Sequence, residues 1–499
     1  MLVLRSFFEK FDLKKYMCDT SLFRKIFIMV LSFEMLAFLD IPFLVIKCFV
    51  LAWGFFILVH NFFMEKRAFK VKYKYLLWAF LISMAVTSFM NVSIWFVPNI
   101  ALILYTAACF FIFYGMYTGN THSEIEKEMV FILKFFVIFG SVCAVLSLFV
   151  LFWKHETVVG PYNLGIYKNR LIGIYVNSNI LAFSMIESII SCDILSDRYI
   201  KNNFKNSKIN PWILILCVSL NCICLFLSDS NASFLFLVIY LTIRVFCNMF
   251  FKNKASYGIK FIKSMLIIIG FCVVSLSISF TLRDACQRFM GEAMSETSRR
   301  EIVQEVISEI DSASHAKDTG ITIVVPTPQT QENNAENKEE KEEQFHIGRE
   351  HYEVSSGRIT LLKQGLEMFK HNPIMGIGRA NLGLYAKRYL KGGLRHPDLH
   401  NGYLTILVCY GLVGFSIFAL FSFLVAIDIC KHMFICTERN YFGVFTKLFS
   451  VLVGYCGYCL FEKAILFDIT FMVGFFWLML GFEISYTKIS SKNIEKVDC

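Results

Sequence analysis

Between Ser355 and Gly414 the chain crowds arginines, histidines, glycines and Pro373 between apolar runs: SSGRITLLKQGLEMFKHNPIMGIGRANLGLYAKRYLKGGLRHPDLHNGYLTILVCYGLVG. Arg358 and Arg379 offer guanidinium groups that bind phosphate oxygens through two N–H donors at once. His400 offers an imidazole whose proton comes and goes near neutral pH. It sits with Asn401 and Tyr403 at the mouth of an apolar run, so the chemistry these types suit is proton transfer beside a phosphate-bearing lipid. His396, Asp398 and His400 also suggest a metal set, but Pro397 prevents a regular helix there and no further ligand cluster is present. An imidazole acting as a base needs no metal, and the reading calls for no metal and no cofactor.

Those residues need elements to hold them. Ile359, Leu362, Leu366 and Phe369 recur at helical spacing, which predicts an amphipathic helix opening at Arg358 and stopped by Pro373. The following GIGRANLG lets the backbone turn tightly and approach a neighbour closely.

The rest of the chain is far too apolar for a water-soluble protein. It is 56% hydrophobic and 18% charged, against about a quarter charged in soluble domains. The predicted fold class is an all-α polytopic membrane protein. Apolar runs long enough to cross about 30 Å of hydrocarbon fall at 22–39, 41–63, 75–93, 97–117, 129–153, 171–194, 211–229, 232–251, 261–282, 402–428, 444–463 and 468–487. That predicts twelve spans, nine in residues 22–282 and three in residues 402–487, with one large loop at 283–401 before the tenth. The basic connections, among them EKRAFKVKYK and DRYIKNNFKNSK, alternate with neutral ones, with the nearly neutral loop at 118–128 as the exception. The bias puts the tails 1–21 and 488–499 in the cytoplasm and the large loop outside. The N-terminus has charge on both sides of its short apolar patch and reads as a retained tail, not a signal peptide.

Formal charge is +10, yet residues 301–350 carry twelve acidic against four basic residues, leaving the remainder at +18. An anionic lipid surface explains that excess better than nucleic acid does. The acidic, aromatic-poor stretch 311–350 predicts disorder inside the loop, and 355–401 is its catalytic segment. Most of the seventeen cysteines lie in apolar runs and read as small hydrophobes.

Two further polar clusters interrupt apolar runs. KNRLIGIYVNSNILAFSMIES contains Arg170, Asn177, Asn179 and Glu187. A guanidinium reaching the interface and asparagines joining helices account for it; so does a wet cavity lined by those amides. SDSNASF at 228–234 reads as a tight turn between two spans.

Taken in order, Arg358-x-x-x-Leu362, Pro373-x-x-Gly376-x-Gly378, His400-Asn401-x-Tyr403-Leu404 and Gly411-Leu412-x-Gly414 resemble the signature of the O-antigen ligase and polymerase superfamily. The upstream Arg170, Gly173, Asn177 and Asn179 are similar to that family's R-x-x-G-x-x-x-N-x-N stretch. The resemblance implies an inverting, metal-independent glycosyltransferase in a bacterial cytoplasmic (inner) membrane. Its donor would be a glycan on undecaprenyl pyrophosphate and its acceptor a glycan or lipid hydroxyl, in surface-polysaccharide assembly as polymerase or ligase. A composition rich in Lys, Asn, Ile and Phe tilts the reading toward a polymerase. His400 and Arg358 would be catalytic, and Arg170, Asn177, Asn179, Arg379, Asn401 and Tyr403 substrate-binding. The bilayer and other assembly proteins would be partners, with no nucleic acid.

Two positions depart from the family pattern. Where its S-R-G-A turn carries an arginine, this chain has Asn231, which leaves Arg170, Arg379 or Arg283 to supply the cation; its acidic position after the histidine is Cys409. The rival from another class is a transporter or flippase of lipid-linked oligosaccharides, with Arg170, Asn177, Asn179 and Glu187 along its path. A structural scaffold of a polysaccharide-export complex is the third reading.

Overall fold

A computed structural model describes residues 16–252, short stretches between 262 and 288, and residues 357–494, apart from 94, 154–155, 160–161, 205–208 and 438. Most of the predicted ninth span, the acidic stretch 311–350 and both extreme tails lie outside the described residues.

The protein is a bundle of apolar helices. They are α1 (Thr20–Glu34), α2 (Asp40–Phe63), α3 (Lys74–Met90), α4 (Phe96–Ala108), α5 (His122–Trp153), α6 (Ser178–Leu195), α7 (Pro211–Leu227) and α8 (Asn231–Lys252). After the large loop come α9 (Arg358–His371), α10 (Leu382–Tyr389), α11 (Gly402–Ile435), α12 (Phe442–Tyr458) and α13 (Phe471–Ile494). Among the described residues six stretches are long and apolar enough to cross a bilayer: Pro42–Phe63, Phe96–Thr118, His122–Trp153, Ser178–Leu195, Asn231–Phe251 and Gly402–Ile435. Lys74–Met90, Pro211–Leu227 and Phe442–Tyr458 are apolar but shorter. The chain is thus a mostly helical, multi-pass membrane protein. α1 is the least apolar of the predicted spans: its Arg24 is buried and held by both Glu128 oxygens at 2.6 and 2.7 Å, as a charge in an apolar interior requires.

The sixth predicted span needs correction. Residues 156–173 form an antiparallel sheet of β1 (Glu156–Val159), β2 (Tyr162–Tyr167) and β3 (Arg170–Gly173), and the helix begins only at Ser178. Hydropathy alone cannot tell LIGIYV as a strand from LIGIYV as a helix. What decides it is Lys168-Asn169, both at positive φ (50° and 58°), the conformation of a two-residue hairpin turn. Asn177 then caps α6, its Oδ1 accepting from the Ile180 N–H at 2.9 Å.

The segment after the large loop is clamped onto α11. α9 does start at Arg358 as predicted, but it buries Leu361, Gly365 and Met368, while Ile359, Leu362 and Leu366 stay exposed. The reason is Gly365, whose bare backbone lets Leu404 of α11 come close. Met368, Ile377, Leu382, Ala386, Leu399, Leu404 and Val408 form a small core of their own.

The glycines of the signature have a purely mechanical explanation here. α11 breaks at Gly411 (φ 62°, ψ −167°), which leaves backbone groups without helical partners. The loop at 373–378 supplies them: Gly378 N–H donates to Cys409 O at 2.8 Å, and Leu412 N–H donates to Pro373 O at 2.8 Å. A Cβ on Gly376 would lie 2.4 Å from the Cys409 carbonyl carbon, and one on Gly411 would lie 2.2 Å from Ile374 O. Gly411→Ala should therefore destabilise the protein by about 2–5 kcal/mol, from left-handed backbone strain plus overlap. A lowered thermal midpoint in detergent is the expected result, and an unchanged midpoint would remove this explanation of the motif.

Candidate active site

Five connections meet at one end of the bundle: the start of α9, the 396–401 link into α11, the α12–α13 link, the β3–α6 junction and the α7–α8 turn. They converge on a carboxylate, Glu462. Its Oε2 lies 2.9 Å from His400 Nδ1, while Oε1 accepts from Asn179 Nδ2 at 3.1 Å and from Arg358 Nη2 at 3.4 Å. Arg170 closes the ring, donating from Nη2 to Asn179 Oδ1 and from Nε to Ser228 O, both at 2.9 Å. Arg358 also lies over the Phe461 ring, 5.4 Å from its centre.

The electrostatics follow from burial. The Arg358 and His400 side chains are 26% and 25% exposed and Glu462 14%. They are dry enough for charges to be felt strongly, yet open to a ligand. Because Glu462 accepts at Nδ1, it holds the neutral His400 ring with its proton on Nδ1 and the lone pair on Nε2. His400 itself sits at φ 46°, a left-handed conformation that branched or bulky residues avoid. That turn swings the ring toward Glu462 while Asn401 starts the next helix.

The other expected site residues are placed differently. Arg379 lies in a knot of four charges, 3.0 Å from Asp398 and 3.6 Å from Asp468, with Lys463 pairing both carboxylates. Burial would push the Asp398 carboxyl up, but Arg379 and Lys463 hold it below the usual range. Asn401 caps α11, accepting from the Leu404 N–H at 2.9 Å, and its Nδ2 donates to Leu460 O at 3.0 Å. Tyr403 donates its hydroxyl to Cys456 O at 2.8 Å. Asn177 is exposed at the head of α6, its side chain engaged by the cap, whereas Asn179, half a turn on, faces the Glu462 cluster. The α7–α8 turn is as tight as expected, and Arg283 grips it through Asp229 and through Asn231 Oδ1 at 2.9 Å. A guanidinium therefore does reach Asn231, from residue 283.

Below the polar cluster an apolar crevice of about 180 Å³ runs between α11, α12 and α13, with Tyr403 and Cys456 at its head and Phe418, Phe449 and Trp477 along its walls. The cysteines described are free thiols, including the Cys456 and Cys459 pair, two intervening residues apart, at the end of α12.

Sequence reasoning missed Glu462, Lys463 and Asp468. The signal was present: Glu462 and Lys463 were counted into the tail of the run 444–463, although α12 stops at Tyr458.

Residues 214–419 match the family model described as O-Antigen ligase. The match contains Arg283, Arg358, Arg379, His396 and His400; Arg170, Asn179 and Glu462 lie beyond it. None of the curated proteins matches the chain.

Proposed function

We propose that this chain, a member of the O-antigen ligase and polymerase superfamily, transfers a glycan from undecaprenyl pyrophosphate to an acceptor hydroxyl at the Glu462 cluster. The observation that carries the reading is the convergence of Arg358, His400 and Asn179 on one half-buried carboxylate at a membrane boundary.

The roles follow from the chemistry. Arg358 holds the pyrophosphate, whose negative charge grows as the anomeric carbon–oxygen bond breaks, so a fixed guanidinium stabilises the transition state more than the ground state. His400 is the base on which the charge of the acceptor's proton comes to rest, and the acceptor oxygen attacks the anomeric carbon from the face opposite the pyrophosphate, inverting it. Lipid pyrophosphate leaves, and the glycan is now bound to the acceptor oxygen. With Arg358 and Arg170 supplying positive charge around the leaving group, the step calls for no metal ion.

Asn179 and Arg170 align Glu462. Asn401 and Tyr403 act by fixing backbone, since their polar groups bond main-chain atoms, Arg379 acts by holding Asp398 and Asp468, and Asn177 acts through the start of α6. The apolar crevice headed by Tyr403 suits the polyprenyl tail, with its opening beside the pyrophosphate. The loops at the opposite end of the bundle carry the basic residues Lys66, Arg67, Lys70, Arg198 and Lys201, which favours a cytoplasmic position for that end and an outward-facing site in the inner membrane.

Polymerase and ligase differ only in the acceptor. Lipid extracts of a strain lacking this protein distinguish them: a polymerase leaves single repeat units on the carrier, and a ligase leaves long carrier-linked chains. Normal extracts that contain finished, transferred polymer would refute both.

A further inference from the structure

His400 has no free nitrogen. Its Nδ1 is on Glu462 and its Nε2 lies 2.9 Å from His396 Nδ1, with the two ring centres 4.2 Å apart. His396 Nε2 is the looser edge of that contact, at 3.4 Å, and His396 is the exposed member of the pair. The bonding order fixes the tautomers along the chain: Glu462 takes the proton on His400 Nδ1, His400 Nε2 takes the proton on His396 Nδ1, and His396 Nε2 is left with its lone pair.

His396 also lines an open basin of about 470 Å³ between α10 and the Gly392-Gly393 turn, with Lys387 on its wall. That volume admits more than one sugar ring. Gly383, Gly392 and Gly393 border it, and a Cβ added at any of them meets nothing within 4 Å.

We propose that the acceptor sugar lies in this basin and that its hydroxyl proton passes to His396 Nε2, with His400 as the inner partner of the relay. The inference rests on the transfer reading above. As the acceptor oxygen bonds to the anomeric carbon and the pyrophosphate departs, His396 Nε2 gains the acceptor's proton and His396 Nδ1 yields its own to His400 Nε2. The imidazolium so formed is stabilised by Glu462, and its proton is lost to water along the same path.

The groups facing His396 are His400, Asp398, Glu462 and Lys463. Partial burial and the neighbouring His400 lower its pKa below the ordinary 6.5, outweighing the two carboxylates. His396 is consequently neutral, and able to accept a proton, through the neutral range.

The test uses the full-length protein in lipid nanodiscs with a lipid-linked oligosaccharide donor and a free oligosaccharide acceptor. His396→Gln should lower kcat by about 10²-fold or more. The KM for donor should be unchanged, and the acidic limb of the pH–rate profile, with its midpoint below 6.5 in the wild type, should be lost. Gly383→Trp, which projects into the basin without backbone strain, should raise the acceptor KM at least tenfold and leave donor KM unaltered. Wild-type kcat in His396→Gln, or an unmoved acceptor KM in Gly383→Trp, overturns the inference. If His400→Ala is inactive in the same assay, the transfer reading still stands; if His400→Ala is active too, both fall.

Discussion

Replacing His400 by alanine, with the protein still folded in the membrane, is expected to lower glycan transfer by about 10²–10⁴-fold, the range for loss of a positioned proton acceptor. The residue does two things that alanine cannot. In the proposed mechanism it receives the proton at the end of the Glu462-anchored chain, and its imidazolium is the charge that Glu462, 2.9 Å away, stabilises as the acceptor is deprotonated. Donor affinity should survive, because Arg358 reaches Glu462 independently of the imidazole. Equal accumulation of wild type and variant in membranes, followed by turnover with saturating donor, separates the chemical defect from misfolding. Full turnover in that variant would remove the base from the mechanism.

Arg358→Ala is expected to cost about 10²–10³-fold in kcat, comparable with losing one donor aimed at developing negative charge. Because the charge on the pyrophosphate rises as the sugar departs, kcat should fall more than donor KM rises. Arg358→Lys should recover only part of the loss: an ammonium supplies the charge but neither the planar fork nor the stacking on Phe461. A variant in which donor KM rises while kcat holds would make Arg358 a binding residue alone.

The two positions proposed as catalytic stood out in the sequence because each begins an element. Arg358 opens a helix after an irregular stretch, and His400-Asn401 stands where an apolar run begins, so type and place agree. The glycine signature was legible as a close approach, although what it approaches, the break at Gly411, needed three dimensions. Glu462 was hidden for a physical reason: it follows an apolar run directly, and a hydropathy boundary drawn five residues late places the hub of the site inside the membrane.

The hairpin was hidden by a different ambiguity. A short apolar run fits a strand or a helix, and only the positive-φ pair Lys168-Asn169 decides between them. That misreading made Arg170 and Asn179 look like polar residues at the head of one span, the very pattern of a transport path. In space Arg170 sits on β3 and Asn179 in the first turn of α6; Arg170 donates to Asn179, and Asn179 donates to the carboxylate that holds His400. Asn231 likewise looked like a lost cation, and it receives one from Arg283 instead. His396 was weighed only as a metal ligand, because sequence spacing shows that two imidazoles are near but not that one blocks the other.

The central claim is that Arg358 and His400, joined through Glu462, break a sugar–pyrophosphate bond without a metal. Its most direct test incubates purified protein with a synthetic undecaprenyl-pyrophosphate oligosaccharide, an acceptor and EDTA, and follows lipid pyrophosphate release together with the anomeric configuration of the product. The expected result is release matched by transfer, with inverted configuration, in the wild type and neither in His400→Ala. Retained configuration, dependence on added divalent metal, or equal release by the two proteins would contradict the account.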